Sequence, residues 1–140
     1  MTPKDECEEL MNANLTFASD CLIKNGEFYP YGAVMKVNKN IEFTSVYNGN
    51  DMPESKDIIN YLENAHKKLA DNSEIVASSI IYDAKININD CVEDTVIVAL
   101  EHIDNYCVKV AFPYEIKKGI IKRKVTFNEP VAFEGDKKIF

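Results

Sequence analysis

Two histidines and four cysteines, set among 23 acidic residues, are the groups in this 140-residue chain best suited to moving protons, attacking carbonyls or holding metals. Cys91, His102 and Cys107 form the most suggestive set. His102 and Cys107 flank Asp104-Asn105, a tight-turn dipeptide that would bring them near one another across a hairpin. Zinc needs a fourth ligand, with Glu101 or Asp104 the nearest oxygen donors, and a tighter ligand spacing than this one. The simpler reading is no metal, with His102 at the rim of the fold and both cysteines acting as small core hydrophobes. Glu101, His102 and Asp104 also make a candidate acid–base group. Neighbours in a strand point to opposite faces, so Glu101 and His102 should not converge, and the group reads as a solvated strand end.

The remaining reactive groups are more isolated. His66 stands beside the apolar positions Leu62 and Leu69 at helical spacing, as a partly buried structural histidine would. Cys7 and Cys21 fall about four turns apart on one helix, and no CxxC occurs, so the thiols read as free and mostly buried. The glycines at 26, 32, 49, 119 and 135 form no phosphate-cradling loop, and there is no GxSxG elbow. An enzyme is the less favoured class, and no cofactor is implied.

Aromatic residues offer a recognition surface instead. Phe28-Tyr29-Pro30-Tyr31-Gly32-Ala33 and the distant Phe112-Pro113-Tyr114 place tyrosines at strand ends, where they supply large contact area with a polar tip. Tyr29, Tyr31 and Tyr114 would form a patch if the two segments were neighbours, with His102 as a further polar group. Core aromatics are the competing interpretation. Lys117, Lys118, Lys122, Arg123 and Lys124 form the one basic cluster, readable as a solubilising edge that discourages edge-to-edge pairing.

Positioning these groups requires a definite set of elements. Thr2-Pro3 opens a helix whose stripe is Cys7, Leu10, Met11, Asn14, Phe17, Ala18, Cys21 and Leu22, with Lys24-Asn25-Gly26 as its stop. Residues 27–37 and 41–47 read as an antiparallel hairpin turning at 38–40, with Pro30 at the strand's start, at a bulge or on an unpaired side. A turn-rich loop at 48–51 precedes a helix opened by Pro53-Glu54. That helix carries Ile58, Ile59, Leu62, Ala65, Leu69 and Ala70 as its stripe and closes at 71–73. From there the period falls from about 3.6 to 2, giving strands over 74–86, 93–103, 106–116 and 120–133. The run 95–100 is apolar on both faces, as in a central strand.

The expected fold is α+β and two-layer: one mostly antiparallel sheet of five or six strands in the order α-β-β-α-β-β-β-β, with both helices on one face. Length and the absence of any composition shift predict a single domain over 1–140. With 46% hydrophobic and 28% charged residues the chain lies far from the disordered class. No stretch approaches the roughly 18 apolar residues of a membrane span, and the N-terminus lacks signal-peptide character, so a cytoplasmic protein with no membrane partner is expected. A net charge of −7 with a single arginine argues against nucleic-acid binding.

The Phe28–Ala33 segment resembles the Phe-Tyr-Pro-Phe-Gly-Ala type strand that follows an N-terminal helix in a group of small bacterial α+β proteins. Tyr31 stands in place of their second phenylalanine. The likeness spans roughly the first 35 residues and the next hairpin, and it implies a bacterial α+β protein without supplying active-site residues. The element order is similar to profilin- and roadblock-type arrangements, a likeness of topology that carries no function. Size and charge are similar to those of toxin-neutralising immunity proteins. The leading expectation is a non-enzymatic, immunity-type or accessory protein that binds another protein. A small-molecule pocket or enzyme between sheet and helices, with Tyr31, His102 or Glu101 as its polar groups, is the first alternative. A self-associating subunit, in the form of a homodimer, is the second.

Overall fold

The structure, a computed structural model, describes residues 2–45 and 54–140. Helix α1 (Pro3–Asn25) begins where Thr2 and Asp5 exchange side-chain-to-backbone bonds in a capping box. It ends at Gly26, whose φ of 75° lets its N–H return to the Leu22 carbonyl. Helix α2 (Ser55–Asp71) closes as expected at 71–73. The loop expected at 48–51 and the opening Pro53 lie outside the described residues.

The strands are β1 (Tyr31–Lys36), β2 (Ile41–Thr44), β3 (Ile75–Ile88), β4 (Cys91–His102), β5 (Tyr106–Lys118), β6 (Arg123–Phe127) and β7 (Val131–Glu134). They form one open antiparallel sheet of seven strands in the order β2-β1-β3-β4-β5-β6, with β7 also on β5. The α+β class and the order of elements match the sequence reading. Pro30 stands just before β1, where its missing N–H costs no ladder bond. The single strand expected over 120–133 is broken in two. β6 pairs with residues 114–118 of β5, and β7 pairs with 108–111 along the same strand. Between them Pro130 has no donor to offer, and Asn128 N–H bonds the Pro113 carbonyl.

The helices do not share a face. Asn14 of α1 bonds the Ser79 hydroxyl, whereas His66 of α2 bonds the Ser78 hydroxyl. Adjacent residues of one strand point to opposite sides, so the two helices lie on opposite sides of β3. The expectation of a shared face took two helices as enough to cover only one side of the sheet, and so one side of β1. Its run Tyr31–Met35 is in fact buried throughout, because α1 covers Tyr31, Ala33 and Met35 while α2 covers Val34.

On the α1 face Cys7, Leu10, Ala18 and Leu22 pack on Met35, Val96, Val98, Leu100 and Phe112 in the larger core. On the α2 face Ile58 and Leu62 pack on Val34, Ile75 and Ile80, and Ile139 completes this smaller cluster. Burial at roughly 25 cal/mol per Å² of apolar surface makes both clusters net stabilising, the α1 face more so. Among the described residues no helix is long and apolar enough to cross a membrane.

Candidate ligand-binding groove

The unequal covering of the sheet leaves a groove on the α2 face. Helix α2 forms one wall with Ile59, segment 135–140 forms the other with Ile139, and Ile80, Tyr82, Ala99 and Cys107 line the floor. The cavity holds about 400 Å³, within the range of small-molecule sites, about 300–1,000 Å³. Charged groups of both signs border it: Lys56, Lys109 and Lys138 with Glu63 and Asp136.

Segment 135–140 is held by one side chain. Glu101 is buried, and its carboxylate accepts the backbone N–H groups of Lys138 (2.7 Å), Ile139 (3.0 Å) and Phe140. A carboxylate deep in an apolar strand is costly unless several donors compensate it, and three converging amides do so. Gly135 lets this segment approach β5, since a Cβ there would stand 2.8 Å from Cys107 Sγ. Glu101 therefore builds the groove wall. It is neither a solvated strand end nor a free acid.

Beneath the groove lies a buried polar chain. Ser78 Oγ is 2.7 Å from His66 Nδ1, and His66 Nε2 is 2.8 Å from Thr44 Oγ1. Gly32 makes room for the ring, because a Cβ there would meet His66 Cε1 and the Ser79 carbonyl at 2.7 Å. Complete burial pushes the His66 imidazole down to about 4. A neutral ring carries one N–H and one lone pair, which two hydroxyls satisfy in either tautomer.

A Ser–His contact suggests a nucleophile and base, but the surroundings oppose it. Among the described residues both ring nitrogens of His66 bond hydroxyls and no carboxylate orients it. Ser78 sits mid-strand between β1 and β4, so the neighbouring backbone amides belong to the ladders and leave no oxyanion donor. Cys107, the other nucleophile at the groove, has its thiol pushed up by burial and by the nearby Glu101, away from the reactive thiolate.

The residues singled out from the sequence are dispersed. Tyr29 is 53% exposed, whereas Tyr31 and Tyr114 are buried on the α1 face, and β3 and β4 separate their strands. The Tyr31 hydroxyl donates to the Asn14 carbonyl and that of Tyr114 to Asp83, so their polar tips are occupied. Burial raises the Tyr31 phenol well above its usual range, and burial together with Asp83 does the same for Tyr114. The expected tyrosine patch does not form, because both tyrosines are drawn into the larger core. Tyr31 instead lies under two exposed rings, with Phe17 at 4.9 Å and Phe43 at 6.4 Å between centroids.

His102 is buried on the α1 face and not at the rim. Its Nδ1 accepts the Asp104 N–H, which puts the proton of a neutral ring on Nε2, 3.1 Å from Glu6 Oε1. Lys39, held at φ 75° in the β1–β2 turn, lies 2.7 Å from Glu6 Oε2. Lys39 foremost, then His102, keeps the Glu6 carboxyl below its usual range despite burial. The cluster ties together the start of α1 and two hairpin turns, and Tyr31 and His102 contribute nothing to the groove.

The Cys91, His102 and Cys107 set weighed as a metal group is not assembled. Cys91 and His102 end β4 eleven residues apart, roughly 36 Å along an extended strand, and Cys107 points to the face opposite His102. All four cysteines are free, but only Cys7 is fully buried and Cys91 is exposed. Sequence reasoning passed over Ser78 and Lys138. The signal for the first was the Ser78-Ser79 pair inside an apolar strand, which supplies one hydroxyl to each face. No family model, no curated protein and no solved structure matches this chain.

Proposed function

We propose that this chain is a non-enzymatic binding protein that takes a small, mostly apolar molecule in the groove between α2 and segment 135–140. The observation that carries the reading is the groove itself. About 400 Å³ lies open over an apolar floor beside which Ser78, His66 and Glu101 are committed to structural bonds and the Cys107 thiol is pushed up by burial. The lysines and acids at the rim orient the ligand's polar end. Immunity-type or accessory binding to a protein has weaker support, since Tyr31 and Tyr114, two of the three tyrosines expected to make that surface, are buried.

The test is fluorescence titration with an anilinonaphthalene sulfonate probe, comparing the native chain with Ala99→Phe, which fills the groove floor. Saturable binding that Ala99→Phe abolishes while the thermal midpoint stays within a few degrees supports the reading. Equal binding by both proteins, or none by the native chain, rules it out.

A further inference from the structure

The hairpin joining β5 to β6 breaks two local rules at once. Its turn is 119–122, closed by the Gly119 N–H on the Lys122 carbonyl. The two central residues are Ile120 and Ile121, where turn chemistry favours Gly, Asn, Asp or Pro. Both are fully exposed, at 106% and 96%, while the other large exposed apolar residues lie between 39% and 69%. Below the tip, Lys117 pairs across the hairpin with Lys124 and Lys118 with Arg123. Like charges directly opposite one another destabilise a sheet. Lysines that merely protect an edge need not face each other, and a Lys–Glu rung would protect the edge and stabilise the hairpin as well.

The base of the hairpin is fixed. Arg123 donates to the carbonyls of Ile23 and Lys24 at the end of α1, and Ile116, Val125 and Phe127 pack into the core. Among the described residues Lys117, Lys118, Lys122 and Lys124 have no acidic partner within ion-pair distance. Residues 117–124 at the end of the hairpin carry five positive charges in a chain of net −7, so the rest of the chain carries −12.

We propose that this tip docks on an anionic lipid bilayer, with Ile120 and Ile121 entering the acyl boundary and the four free lysines lying among the headgroups. A convex aliphatic tip ringed by lysines suits a surface that offers apolar depth and diffuse negative charge. A nucleic-acid contact would use aromatic stacking, and the tip has no aromatic residue. The absence of a spanning segment, on which the expectation of no membrane partner rested, does not bear on a surface contact. The strongly negative remainder of the chain is repelled by such a bilayer, so contact is end-on, weak and sensitive to salt.

Co-sedimentation of the full chain tests this, using phosphatidylcholine vesicles with and without roughly one third phosphatidylserine. Binding to the anionic vesicles alone is expected, weakened at least about tenfold by I120D/I121D and by glutamine at the four lysines, and abolished near 1 M salt. The chain has no tryptophan, so Ile121→Trp is a clean reporter whose emission shifts to the blue only with anionic vesicles. None of these exposed substitutions lowers the thermal midpoint, and glutamine at the lysines raises it slightly by relieving the opposed charges. The proposal is overturned by failure to bind anionic vesicles, including the case where an acidic protein binds the tip instead. It is equally overturned by binding that survives I120D/I121D or does not distinguish the two vesicles.

Discussion

The two faces of the sheet use the same kind of material to different ends. On the α1 face a 23-residue helix runs across β1, β3, β4, β5 and β6 and closes the core beneath it. On the α2 face a 17-residue helix packs mainly on β1 and β3 and touches β2 through His66 and Thr44, and segment 135–140 must finish the covering. Each face keeps a buried histidine. His102 is tied to a carboxylate, Glu6, and His66 to two hydroxyls. The closed face spends its polar groups on locking loops together, and the partly covered face has room left for a ligand.

Substitutions that remove the same bulk from each face test this contrast most directly. Leu10→Ala on the α1 face should cost about 3–4 kcal/mol in urea denaturation, because the site is fully enclosed and cannot collapse. A loss below about 1.5 kcal/mol would mean the α1 face is also loosely filled.

Acid unfolding should separate the faces by pH window. With its imidazole at about 4 when folded and about 6.5 when unfolded, His66 takes up protons more readily in the unfolded chain between those values. Stability therefore falls as pH drops through that window, by on the order of 3 kcal/mol. Glu6 acts lower. Its folded carboxyl is depressed, so its contribution is complete above the usual glutamate range and is lost as pH falls through the depressed value. Denaturation of His66→Gln across pH should lose the upper step and keep the lower one. Persistence of the upper step would assign it elsewhere.

Glu101→Ala is next in size. Leaving three amides without their acceptor should cost about 2–3 kcal/mol, release segment 135–140 to proteolysis, and weaken probe binding in the groove. Unchanged cleavage kinetics would show that the segment is held by Ile139 alone. The smallest expected effect is Ile59→Ala at the groove wall, under about 1 kcal/mol, since the space it vacates is already open to solvent. A cost close to that of Leu10→Ala would argue that the groove closes in solution.

Much of the fold was legible because local signals agreed with one another. Thr2-Pro3 and Gly26 bound α1 as their chemistry requires, and the change of period after residue 73 marks the start of the long strands. The candidate site was far less legible. Tyr31 and Tyr114 carry the residue type of a recognition surface, and only their strand register shows that both face the closed core. Glu101 was visible as an acid beside His102, but its partners are backbone amides 37–39 residues away, which no side-chain pattern announces.

The sequence by itself determined both helices, the strands up to β5 and the order of these elements, because these follow from capping, turn residues and side-chain period acting over a few residues; the break between β6 and β7 came from their separate pairing with β5. Tertiary structure alone decided which face each helix covers, and with it which polar groups are spent and where a groove remains. A period of two says that Ser78 and Ser79 face apart, but it cannot say that His66 waits on one side and Asn14 on the other.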